Sequence, residues 1–600
     1  MKITFILFAV WSAGAVAGPV DFTPHGTQPG LFYPMTEPRN CSDCHSIDAF
    51  PVERGEEFSP QDTWRGSMMA NAARDPLFWA ALDVANNDMP GVGDYCLRCH
   101  SPVGWLNGRV SKDGFGGTVD GADGCELSGG LDELDDKSND FAGVTCHLCH
   151  RVDPTGPADE PFIIGNANLW LNDDNCPDGD GFGPCRKGPY TYSDDQPPHK
   201  WAYSSLHESS ELCGGCHEVS SPNTSAGIAV TLRDETGADT GLAMPNDRTY
   251  SEWKLSDFSE VVFSNTFQDT PDRVTQTLQC QGCHMPDSED ENAKACFGFP
   301  DFPDGFRQGN LPMHRFVGGN VWMTNIIKGQ YGAALGREMQ MENSAQWAEA
   351  MLQQAAELSI ESVAYDSATG QGSLSVRVVN QSGHKLPSGY AEGRRMWIQV
   401  VVKDGNSDIV WQDGVFDEPT GDLATSGQTK IYEALQGRWN LLGTNSCDVV
   451  DGDGNKQFHL VLNNCIAKDN RIPPYGFRGG GNVEVAPVGY NYPTVPGQSD
   501  RLVHWDDTDY GFTIPAATVT PIEVEVSLNY QTSSKDYIEF LRNEAVDNAF
   551  PAENMMCNRS LTVGPGDSTR GQYMYDLWNN PAYGKSPPVI MATQSQQVPE

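Results

Sequence analysis

Five times between residues 41 and 284 the chain spells C-x-x-C-H: Cys41 to His45, Cys96 to His100, Cys146 to His150, Cys213 to His217 and Cys280 to His284. With 17 Cys and 13 His in 600 residues, chance matches should number on the order of 0.01. Two thiols one helical turn apart can add to the two vinyl groups of one haem, and the histidine that follows then points its imidazole at the iron. The pattern predicts five covalently bound c-type haems. Cys41, Cys44, Cys96, Cys99, Cys146, Cys149, Cys213, Cys216, Cys280 and Cys283 would attach them, and His45, His100, His150, His217 and His284 would ligate the irons. Zinc explains less, because it would leave one of five pairs unmatched and needs no histidine after every second cysteine.

Each macrocycle is a large apolar body, so short helices and long loops can pack around it where side chains would otherwise be required. Residues 18–345, rich in Gly, Pro, Asp and aromatics with little sustained periodicity, suit such a region. Ser344 to Leu358 places Trp347, Met351, Ala355 and Leu358 at helical spacing behind a possible Ser344 cap. The runs SLSVRVVN, MWIQVVVKD, FHLVLNN and IEVEVSLNYQT then alternate between turns and predict an antiparallel β-sandwich over 346–560, with a tail at 561–600. The expected fold class is a multidomain chain: a mainly α/irregular multihaem cytochrome c domain followed by that sandwich.

Met1-Lys2, an apolar stretch from Ile3 to Val16 and an Ala15-Val16-Ala17 end read as a secretory signal peptide over residues 1–17. Export to the periplasm or cell exterior is the expectation, and no later window is apolar for the roughly 18 residues of a membrane span. Lys plus Arg number 39 against 81 Asp plus Glu, a formal net charge of -42. That surface repels nucleic acid and anionic membrane and would steer in a basic redox partner. Of the seven remaining cysteines, Cys125, Cys176, Cys185, Cys296, Cys447, Cys465 and Cys557, Cys176 with Cys185 and Cys447 with Cys465 are plausible disulfides, and the odd count leaves at least one unassigned. The loops Asp178-Gly179-Asp180 and Asp451 to Asn455 invite a calcium reading, but the second lacks the Gly and Glu of an EF-hand, and turns are the better account.

Electron carriers usually fill the sixth iron position with His or Met, whereas enzymes leave one open. His207, six residues before Cys213, His314 beside Gly318-Gly319, and His384 in a loop set by Gly383 and Pro387 are the leading candidates. His147 could reach a neighbouring haem, Met69 or Met68 could offer a thioether, and His199 stays open; His25, His459 and His504 read as structural or terminal.

Three stretches resemble the bacterial multihaem cytochromes c related to hydroxylamine oxidoreductase and its tetrahaem electron-accepting partner. TWRGSMMANAARDP is similar to that group's W-x-x-S-x-H segment, with Met69 where histidine is usual. SSELCGGCHEVSSP and LQCQGCHMPD are similar to its haem-binding segments, and GHKLPSGYAEGRRMW to a GHK-x-P-x-G segment. The resemblance covers most of residues 41–400 and implies closely stacked haem pairs with distal histidines, favouring His207, His314 and His384. Its members include carriers and enzymes, so the expectation is an electron carrier, with an oxidoreductase acting on a small nitrogen or sulfur species at one open haem as the alternative. A homo-oligomer or filament is compatible with either.

Overall fold

Asp75 opens a 13-residue helix, Pro76–Asp88, by accepting the N–H groups of Leu77 and Phe78 at 2.8 and 3.4 Å, with Pro76 supplying the first turn's preset φ. In this computed structural model, residues 33–35, 38–46, 58–107, 109–110, 127–133, 139–156, 159–173, 176, 181–192, 197–224, 226–259, 279–290, 293–296, 311–390, 392–515, 518–550 and 568–598 are described. The expected signal peptide, His25, Cys125, Cys557 and the Asp178-Gly179-Asp180 loop lie outside them.

Trp79, Leu82 and Val84 of the Pro76–Asp88 helix are buried with Trp105, Phe141, Leu148 and Val152. The same core takes in Tyr537, Ile538 and Leu541 from the helix Lys535–Asp547, and Met574, Leu577 and Trp578 from the helix Arg570–Trp578. Arg570 reaches Asp83 at 3.0 Å and lies over the Trp79 ring. The last two helices therefore pack on the Pro76–Asp88 helix, and the motif-bearing region shares a core with residues far beyond 345.

The helix expected from Ser344 runs instead over Glu338–Ala355, and Ser344 is buried in its interior. Its buried stripe is Met341, Ala345, Ala348 and Leu352. Trp347 is half-buried under the Arg315 guanidinium, 4.4 Å from the ring centroid, and Leu358 lies in the strand that follows.

Two antiparallel sheets follow. One orders Ala356–Asp366, Gln371–Asn380 and Trp505–Thr513; the other orders Ile409–Asp413, Arg395–Lys403, Ile522–Gln531 and Val589–Val598, with Ile431–Tyr432 pairing Arg395–Lys403. Leu374, Val376, Val378, Tyr510 and Phe512 of the first face Ile398, Val400, Val524 and Val526 of the second in one core. Burial alternates strictly along Trp505–Thr513, as a strand with one solvated face requires.

Two elements depart from expectation. FHLVLNN is a loop rather than a strand: Phe458 packs against Tyr537 and Phe540, and His459 hydrogen-bonds Asp88 at 2.7 Å. Residues 561–600, expected as a tail, supply the Arg570–Trp578 helix and the Val589–Val598 strand, which pairs along nearly all of Ile522–Gln531.

Cys176–Cys185 and Cys447–Cys465 are both disulfides. In the Asp451 loop the carboxylate accepts the N–H groups of Asp453 and Asn455, closing a turn on itself. Among the described residues no three acidic, His or Cys side chains converge as a metal site, so calcium finds no support there.

Candidate functional site

All fifteen cysteines and histidines of the five motifs line a single cavity of about 2640 Å³. A pocket for one small molecule usually spans about 300–1,000 Å³, so this space suits several large ligands.

Each motif begins in a short helical turn, as in Arg39–His45, Gly93–His100, Cys146–Cys149, Ser210–Gly214 and Cys280–His284. That turn brings the two thiols of a motif to the same side. None of the ten motif cysteines is in a disulfide. They meet across motifs instead: Cys41 hydrogen-bonds Cys146, Cys99 bonds Cys216, and Cys213 bonds Cys280. Cys149 lies close to both Cys213 and Cys216. The motifs are thus neighbours in an order different from their order in the chain.

The motif imidazoles are held in a common way. Nδ1 faces a backbone carbonyl in four of them: Ala295 for His45 at 2.5 Å, Ala72 for His100 at 3.4 Å, Lys187 for His150 at 2.7 Å and Val317 for His284 at 2.7 Å. In His217 it faces the Asp247 carboxylate at 3.9 Å. A proton fixed on Nδ1 makes Nε2 the metal-binding nitrogen. Burial lowers the pKa of His45 and His150, and takes His100 down to about 4, so these rings stay neutral as a ligand must. For His217 burial opposes the charged form too, but Asp247 outweighs it and raises the pKa.

His384 stands opposite His284, centroids 6.4 Å apart and ring planes 17° apart. His314 and His207 lie 6.3 and 5.5 Å from His150, at 33° and 18°. Two metal–imidazole bonds of about 2 Å each, plus the half-width of each ring, place axial centroids about 6 Å apart. His384 is set by its loop, where Asn380 and Ser382 side chains both donate to its carbonyl at 2.8 Å. The His314 N–H donates to Thr63, and Phe316 N–H to the His284 carbonyl, tying that segment to the fifth motif. His207 bonds the Cys149 carbonyl through Nε2, and its Nδ1 is buried with no hydrogen-bond partner. Burial takes His207 and His314 down to about 3.

His147 and His199 also line the cavity, His147 taken down by burial to about 2 and His199 to about 4. Met68 and Met69 are half-buried on the wall. Phe78 stacks face to face on His100 at 3.7 Å, in direct contact with the ring and not across a metal from it. Gly319 lines the cavity, but a Cβ there would meet Tyr530 at 2.8 Å, so its small size serves protein packing as well as access to the cavity. The donor set and the opposed rings fit c-type haems.

Sequence reasoning missed the buried polar group on the far wall: Tyr390, Glu392, Asn463 and Tyr537. Tyr390 and Glu392 follow His384 within the same loop segment, which was the one available signal. It missed as well the ion network that seats that loop. Lys385 pairs with Asp469 at 2.6 Å, and Arg471 with Asp469 and Glu252 at 2.8 and 2.9 Å.

No protein-family model matches the chain, and no curated protein matches it. Among solved structures it is similar to a penta-heme cytochrome c552 from Thermochromatium tepidum, with 15% identity over 96% of this chain and 100% of that chain and a TM-score of 0.42.

Proposed function

We propose that the chain is an exported pentahaem c-type cytochrome, related to the hydroxylamine oxidoreductase group, that passes electrons between redox partners. The observation that carries this reading is the convergence of all fifteen motif side chains and five further histidines on one cavity wall. The motif cysteines would attach the haems and the motif histidines would ligate them. His384 would serve opposite His284, and His314 or His207 opposite His150; His147 and Met69 remain candidates for the other irons. When bound, a c-type haem supplies one-electron exchange at its iron. The chain's own part is to fix imidazole orientation through Nδ1, keep His45, His100 and His150 neutral, and line the site with apolar Trp64, Leu82 and Phe316.

The two disulfides favour an oxidising compartment, periplasm or cell exterior. No helix among the described residues is long and apolar enough to cross a membrane. The net charge of -42 favours a partner with a basic docking surface.

The test is a haem count with optical spectra of the purified protein, oxidised, reduced, and reduced under carbon monoxide. Five haems with no carbon monoxide shift support the carrier. A shift in about one-fifth of the signal supports an open iron. A count near zero removes the reading.

A further inference from the structure

Glu392 is a buried carboxyl in the cavity wall, 5% exposed. One oxygen accepts the Tyr390 hydroxyl at 3.0 Å, and the other accepts the Asn463 amide at 2.8 Å. Tyr390 in turn lies 3.4 Å from the Tyr537 hydroxyl, and all four side chains line the cavity. The other titratable groups facing this cluster are His459, on the Asn463 loop, and Asp75, at the head of the Pro76–Asp88 helix near Tyr537. His459 is itself held between Asp88 at 2.7 Å and Glu544 at 3.9 Å, on the side toward solvent. Arg394 faces Asp75 rather than Glu392.

A carboxyl in this position has hydrogen-bond donors to receive its charged form but, among the described residues, no lysine or arginine acting on it. Its protonation is therefore set by whatever charge enters the cavity. At an effective dielectric constant of about 20, a unit charge about 10 Å away moves such a group by about one pKa unit. Burial already pushes Glu392 up to about 8, close to the range in which a small change of field transfers the proton.

We propose that Glu392 takes up a proton when the cavity is reduced, so that an electron and a proton enter together. This rests on the electron-relay reading. An electron from the redox partner adds one negative charge to the cavity; a proton from solvent forms an O–H bond on the Glu392 carboxylate; the net charge is unchanged. On oxidation that O–H bond breaks and the proton returns to water. Tyr390 and Asn463 are positioning residues that receive the ionised form.

The experiment is a spectroelectrochemical titration of the haem-loaded protein from about pH 5 to about pH 10. At least one midpoint potential should fall with rising pH between two plateaus, by at most about 59 mV for each tenfold change in proton concentration. Glu392→Gln should abolish that slope while the haem count and spectrum stay as in the parent. Tyr390→Phe removes a hydrogen bond to the carboxylate and should move the window to higher pH. Asp75→Asn, which keeps a helix-capping side chain, should leave the slope in place. A pH-independent parent, a slope that survives Glu392→Gln, a window unmoved by Tyr390→Phe, or a slope lost with Asp75 would each overturn the proposal. A preparation without haem would instead overturn the relay itself, before any potential is read.

Discussion

The imidazoles of His284 and His384 face each other across 6.4 Å with ring planes only 17° apart, although a hundred residues separate them in the chain. One ring belongs to a motif helix and the other to a loop between two strands of different sheets. The spacing leaves room for one metal centre between them.

Replacing His384 with alanine should leave five haems attached, because attachment depends on the cysteines. One iron should then bind carbon monoxide, seen as a new shift in about one-fifth of the reduced haem signal. An unchanged carbon monoxide difference spectrum would exclude His384 as that ligand.

Asp469 joins Lys385, which is fully buried, to Arg471 and so holds the His384 loop. Asp469→Asn leaves two buried cations with one carboxylate fewer and should cost about 3–5 kcal/mol in denaturant unfolding. A loosened His384 loop should also let the same haem bind carbon monoxide in part.

The pH dependence of that contribution has a definite sign. Burial alone would raise the Asp469 pKa, but Arg471 and Lys385 outweigh it and hold it at about 2, below its ordinary value of 3.8. The folded state then binds fewer protons than the unfolded one. The stabilisation is present above about pH 4 and is lost as pH falls toward about 2. Stability measured against pH should therefore drop more steeply for the parent than for Asp469→Asn over that range.

Removing the Cys447–Cys465 disulfide by a double serine replacement frees a loop of 18 residues' separation. Unfolding free energy should fall by about 3 kcal/mol, while the haem count stays at five. A loss of haem would mean that this loop also shapes the cavity.

Much of this was legible from the chain. C-x-x-C-H carries its chemistry in five consecutive residues, and the two remaining close cysteine pairs could be read from spacing. His314 and His384 stood out because glycine and proline fixed the loops around them. FHLVLNN misled because its apolar residues serve two bodies: Phe458 joins the helical core and Leu460 lines the cavity, a division that looks like strand alternation in one dimension. The strand Val589–Val598 was hidden because it is an edge, buried mainly at Met591 and Val598, and VIMATQSQQV reads as polar tail. Glu392 and Asp247 were harder to recognise, since Asn463 lies 71 residues from the one and His217 precedes the other by a strand-rich segment.

The order in which the motif thiols meet has a consequence for traffic. Cys41 adjoins Cys146, Cys149 adjoins Cys213 and Cys216, Cys99 adjoins Cys216, and Cys213 adjoins Cys280. Drawn as a graph, the first, second and fifth motifs are leaves, while the fourth has three neighbours and is the only hub. On the proposed relay reading, haems attached in this order would give the fourth motif the central place, and its loss would divide these thiol contacts into three disconnected pieces.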